Sequence, residues 1–132
     1  MPSPTLPLVY SCSGCSNVAQ LANTLAVRLD RQGLAEMSCI AGVGGHVSAL
    51  VNKARSGRRI LALDGCPLHC VENCLKQHGL HADVHLILSH SGLRKRYAED
   101  CTEAQCDELF EGIKQLIASD ARPLENRQTE TH

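Results

Sequence analysis

A chain of 132 residues, 43% of them hydrophobic, is long enough for one domain with a proper core and too apolar to be disordered. The formal net charge is −1 with acidic and basic residues interleaved, which argues against nucleic acid or an anionic membrane as a partner, since both demand a basic stripe. Aromatics are 2% of the chain, so the core must be aliphatic, and no apolar run approaches the length of a membrane span.

Residues 1–7 carry three prolines, no basic start and no apolar stretch of signal-peptide length; a flexible lead-in and a cytoplasmic location are expected. The run Leu8-Val9-Tyr10-Ser11-Cys12 reads as a strand ending in the turn Ser13-Gly14. Val18, Leu21, Ala22, Leu25, Ala26 and Leu29 then recur at helical spacing, with Ser16 or Asn17 as cap and Gly33 as terminator. A weaker strand spans Ala35 to Ile40 and leads into the glycine-rich turn Ala41–Gly45. Val47, Leu50, Val51 and Ala54 mark the next helix, which Gly57 closes.

Arg59-Ile60-Leu61-Ala62-Leu63 is nearly all apolar, the pattern of a strand covered on both faces. Asp64-Gly65 turns it, and Pro67 suits the first position of a helix running to Gly79. A fourth strand is expected from about Val84 to Leu88, followed by Ser89-His90-Ser91-Gly92. Leu93 to Asp100 is polar and carries no assignment. The last helix opens at Thr102, where Gln105 completes a capping box, and its apolar stripe is Cys106, Leu109, Phe110, Ile113 and Leu116. Residues 119–132 are polar and read as a tail.

Alternating strands and helices imply a parallel sheet. The expected architecture is an α/β, three-layer domain over residues 8–118, with about four strands, flavodoxin-like or Rossmann-like. A thioredoxin-like fold would need an antiparallel hairpin late in the chain, and the pattern offers none.

Cysteine is the anomaly. There are eight, and in a reducing compartment clustered thiols point to metal or redox chemistry more than to disulfides. A parallel sheet brings the C-terminal ends of all its strands to one edge, where ligands bind. Cys12 ends the first strand with Cys15 in the turn after it, Cys39 ends the second, and Cys66 and Cys70 follow the third. Five thiols are thereby expected at one edge. Cys12-x-x-Cys15 can chelate an ion from a turn, and Cys66-x-x-x-Cys70 would place two sulfurs on one helix face, about 6 Å apart along the axis. Cys74, Cys101 and Cys106 are expected to be structural.

The segment Asp64-Gly65-Cys66-Pro67-x-x-Cys70 resembles the signature of the DGC-domain family of small bacterial zinc-binding proteins. The likeness extends to Cys12-Ser13-Gly14 with Ser16-Asn17, to Gln20-Leu21-Ala22-Asn23, and to Met37-Ser38-Cys39-Ile40-Ala41-Gly42. It covers roughly residues 8 to 118. The resemblance implies zinc held by four cysteines, carried over to Cys12, Cys39, Cys66 and Cys70, with Cys15 as a fifth ligand or a replacement. It supplies a site and not a reaction.

Other readings stay open at this point. A strand–CxxC–helix arrangement suits a thiol–disulfide or sulfur-transfer enzyme using Cys12 and Cys15, and the same thiolates can hold an iron–sulfur cluster. His46, His69 and His90 fall near the same edge, as ligands, as groups behind the ligands, or as plain surface residues; His81 and His85 read as surface residues. Asp64 is either an acceptor behind the site or half of an Asp-Gly turn. Gly42-Val43-Gly44-Gly45 lacks the Lys-Ser or Lys-Thr of a phosphate loop.

Overall fold

The computed structural model describes residues 6–91, 95–97 and 99–119. It divides into two units, residues 1–101 and 102–132. The first holds four strands, β1 (Leu8–Ser11), β2 (Glu36–Met37), β3 (Ile60–Asp64) and β4 (Val84–Ile87), in one parallel sheet of order β2-β1-β3-β4. The helices between them are α1 (Asn17–Arg31), α2 (Ile40–Gly44), α3 (Ser48–Ala54) and α4 (Cys70–Lys76). The expected α/β parallel architecture is what the chain adopts.

The central strands explain themselves. Every residue of β1 and β3 is buried, as a sheet covered on both faces requires. Their register runs Leu8 with Ile60 through Ser11 with Leu63. Helix α1 turns Val18, Leu21, Ala22, Leu25, Ala26 and Leu29 inward, the stripe expected from their spacing. Ser16 caps it, its hydroxyl accepting the Ala19 N–H at 3.1 Å. Gly33, Gly57 and Gly79 each follow a helix with φ of 72°, 88° and 72°, the left-handed geometry that favours glycine.

Several local expectations are corrected. The second strand is only two residues long, and Ala41–Gly45 is largely helix, not turn. Val43 N–H bonds to Cys39 O and Gly45 N–H to Ala41 O, so the backbone closes helical turns despite the glycines. Gly42 is there for room: a Cβ would overlap the Leu50 side chain on α3. His46, at φ 61°, breaks α2 from α3.

The helix after β3 begins at Cys70 instead of Pro67, because His69 takes a left-handed conformation (φ 57°) that no helix continues through. Cys66 therefore lies in a loop, and Cys66 and Cys70 do not share a helix face. The fourth strand stops at Ile87, and Leu88–Ser91 forms a 3-10 turn.

The second unit is described by α5 (Glu103–Ser119). Its capping box is as expected: Thr102 Oγ1 accepts the Gln105 N–H at 3.1 Å, and Gln105 Oε1 accepts the Thr102 N–H at 2.8 Å. Among the described residues no helix is long and apolar enough to cross a membrane. Residues 120–132 of the expected tail and residues 1–5 of the expected lead-in lie outside the described residues.

A cysteine-lined cleft as the candidate functional site

The strand order contains a switch point. From β1 the chain moves through α1 to β2 on one side, then crosses back to β3 on the other, so β1 and β3 are neighbours whose connections leave in opposite directions. Sheets of this kind bind ligands in the crevice outside the carboxyl ends of such strands. Here that crevice is a cleft of about 210 Å³ lined by Cys12, Cys15, Cys66, Cys70, Lys95 and Tyr97, among others.

Four of the five expected edge cysteines thus line one cleft, Cys12 and Cys15 from the turn after β1, Cys66 from the loop after β3 and Cys70 from the start of α4. Cys39 is not among the lining residues. It caps α2, is exposed, and lies within electrostatic reach of Tyr10. The reason is topological. It follows β2, which β1 separates from β3, and two strand spacings amount to roughly 10 Å.

Cys12 is the buried member, 8% exposed. Its Sγ accepts the Gly65 N–H at 3.1 Å. Burial, and then the negative charge of Asp64, Cys70 and Cys66, push its thiol up to about 11, against the pull of that N–H. Cys15 and Cys70 are exposed and Cys66 is half-buried. The Cys12 and Cys66 turns are pressed together at Gly65, where a Cβ would come within 2.8 Å of Val18 C and 2.9 Å of Ala19 N on α1. Glycine in Asp64-Gly65-Cys66 is a matter of space.

Lys95 and Tyr97 come from the stretch that the sequence pattern left unassigned. Asn17 pins it: its N–H donates to Arg96 O at 2.8 Å and its Oδ1 accepts the Arg96 N–H at 2.6 Å, beside a bridge between Ser16 and Tyr97. The Tyr97 hydroxyl and then the Cys66 sulfur raise the affinity of Lys95 for its proton. Leu68 and Tyr97 are 65% and 63% exposed at the cleft.

Asp64 is 1% exposed and is not just a turn residue. Its Oδ1 accepts the Val71 N–H at 2.8 Å and its Oδ2 the Glu72 N–H at 3.4 Å, capping α4 from the end of β3. His85, expected at the surface, is in fact one-fifth exposed, with Nε2 2.7 Å from Asp64 Oδ2. His69 packs edge-on against the His85 ring, and neither it nor exposed His46 and His90 lines the cleft. His46 instead packs edge-on against His78 and hydrogen-bonds Gln77. Cys74 packs toward Gly44, and burial pushes its thiol up.

The donor set suits a soft or borderline cation: four cysteines around one small cleft. Among the described residues, no three Cys, His, Asp or Glu side chains already stand in a metal-holding arrangement.

A family model for the DGC domain matches residues 8–113. This chain belongs to the DGC-domain family. The DGC chain is also 64% identical, over 116 residues covering 88% of each sequence, to a Pseudomonas aeruginosa protein named Anaerobic and virulence modulator AnvM. No solved structure matches it. The match runs from the start of β1 into α5 and includes all four cleft cysteines of this DGC domain.

Proposed function

We propose that this DGC protein binds a thiophilic divalent metal ion, zinc in the first place, in the cleft between β1 and β3. The observation that carries the reading is that Cys12, Cys15, Cys66 and Cys70, from two separate turns, line one cleft at the switch point of the sheet. In this reading Cys15 takes the place that the family resemblance gives to Cys39, which is not among the residues lining the cleft. Bound zinc would supply the positive charge that lets these thiols ionise together. The Gly65 N–H and the Lys95 ammonium, both beside sulfur, offset the charge of about −2 that four thiolates leave on a divalent ion.

A closed four-thiolate site leaves no open coordination position, so the reading is of a metal-handling or accessory protein and not of a catalyst. The name of the relative, a modulator, fits that reading. A thiol–disulfide enzyme at Cys12 and Cys15 would instead show a single reactive thiol and catalytic turnover in zinc-free protein. Thiol ligands need a reducing compartment, and the cytoplasm meets that need.

The test is metal analysis of protein purified without oxygen, with single Cys→Ser changes. One zinc per chain is expected, lost or weakened at Cys12, Cys15, Cys66 and Cys70 and retained at Cys39 and Cys74. Iron with acid-labile sulfide would replace zinc by a cluster. Zinc that survives Cys15→Ser but not Cys39→Ser would restore the family quartet, and zinc indifferent to all of these changes would end the reading.

A further inference from the structure

We propose that His85 is a positioning residue for the cysteine cleft, fixing the Cys66–Cys70 segment through Asp64 and Glu72. The consequence for metal rests on the metal-binding reading; the geometry stands without it. His85 is on β4, paired with Ala62 of β3, and does not line the cleft. Its Nε2 lies 2.7 Å from Asp64 Oδ2 and its Nδ1 3.4 Å from Glu72 Oε2, so both ring nitrogens face carboxylates. Those carboxylates sit on either side of the cysteine loop. Asp64 is two residues before Cys66, and Glu72 is two residues after Cys70.

The same imidazole touches the loop a third time, through the edge-on His69 ring at 5.0 Å between centroids. His69 immediately precedes Cys70 and holds the left-handed backbone that starts α4 where it does. Left-handed geometry in a non-glycine residue persists only where its surroundings hold it. Asp64 supplies one hold, through the Val71 and Glu72 N–H groups, and His85 braces Asp64. Glu72 is tied further, to the Ala82 N–H at 3.4 Å and to His81 Nδ1 at 3.8 Å, so the clasp joins the start of α4 to the approach to β4. Groups in this relation to metal ligands orient them, and their loss typically weakens binding by about 10–100-fold.

The experiment compares the full-length wild type with His85→Leu, which removes both polar contacts, and His85→Gln, which keeps a donor toward Asp64. Cobalt(II) is the optical probe, zinc affinity is read by competition with a chromophoric chelator, and the alkylation rate of each cysteine in metal-free protein is read by mass spectrometry. His85→Leu is expected to weaken both metals by about 10–100-fold, shift the cobalt d–d bands, and speed alkylation of Cys70 several-fold over that of Cys15. His85→Gln is expected to recover most of the loss. Wild-type affinity, spectrum and Cys70 rate in His85→Leu would overturn the proposal. If the wild type binds neither metal, the metal reading fails, and an unchanged Cys70 rate in His85→Leu overturns the clasp separately. Should His85→Leu not fold, Glu72→Gln carries the same comparison, since it loosens one arm and spares the buried carboxylate.

Discussion

Gly65→Ala tests whether the two cysteine turns are held together by shape. Gly65 does not have a positive φ, so alanine is conformationally acceptable there, and the constraint is space alone. The added methyl would meet Val18 C, Ala19 N and Val18 O at 2.8, 2.9 and 2.9 Å, all of them backbone atoms inside the first turn of α1. Backbone in a packed helix cannot swing aside as a side chain can, and such overpacking costs about 1–3 kcal/mol. With a urea m-value on the order of 2 kcal/mol/M, the midpoint of the metal-free protein should fall by roughly 0.5–1.5 M at unchanged slope. Gly44→Ala is the control. Its methyl would meet Cys74 Sγ at 2.9 Å, a side-chain atom free to rotate. Equal midpoints for Gly65→Ala and wild type, or a larger loss at Gly44 than at Gly65, would refute the argument.

Other perturbations should behave as follows. Metal-free protein should lose stability as the pH climbs from about 9 to about 11, because the folded state holds the Cys12 proton longer than the unfolded chain does. Its share is at most about 2–3 kcal/mol, and Tyr10 and Cys74 act with the same sign. Cys12→Ala should flatten that slope in denaturation curves taken across the window, and an unaltered slope would contradict the assignment. Glu36→Gln should cost about 1 kcal/mol at neutral pH, since the carboxylate pairs with Lys53 and Arg58 and is held below its ordinary range by them. That difference should close as acid protonates the wild-type side chain, which thermal melts at descending pH will read. Gly112→Ala, in the interior of α5 with nothing within 4 Å of the new methyl, should stabilise by about 0.5–1 kcal/mol, seen as a higher Tm.

The frame of this fold is legible in the sequence because its signals are local. Apolar runs gave β1 and β3, helical spacing gave α1, and Gly33, Gly57 and Gly79 closed their helices as expected. The errors arose where a distant residue decides. Pro67 is a sound local start signal, but α4 starts at Cys70 after the left-handed His69, with its first N–H groups held by Asp64, and Asp64 is braced by His85, 21 residues further on, which no window around Pro67 contains. The glycines after Cys39 read as a turn, yet Gly42 serves the packing of α2 against Leu50.

The positions of the cysteines show the same division. Placing Cys12, Cys15, Cys66 and Cys70 together needed only the rule that strand ends share an edge. Separating Cys39 from them needed the strand order, which hydrophobic periodicity does not encode. His85 was missed although a clue existed: an aspartate closing an all-apolar strand is buried with its strand and must find a donor. Lys95 and Tyr97 gave no signal, because a polar segment without periodicity leaves its path across the molecule unstated.

The brevity of β2 has its own consequence. A sheet margin is a template for unwanted pairing between chains, and margins that are long and flat invite it. On this side the margin is only Glu36 and Met37, with the Lys53 and Arg58 cations drawn onto Glu36. An incoming peptide would find almost no ladder to extend and a cluster of charge to desolvate. The chain therefore has a built-in guard against edge-to-edge aggregation there, and lengthening β2 or neutralising Glu36 would lower it.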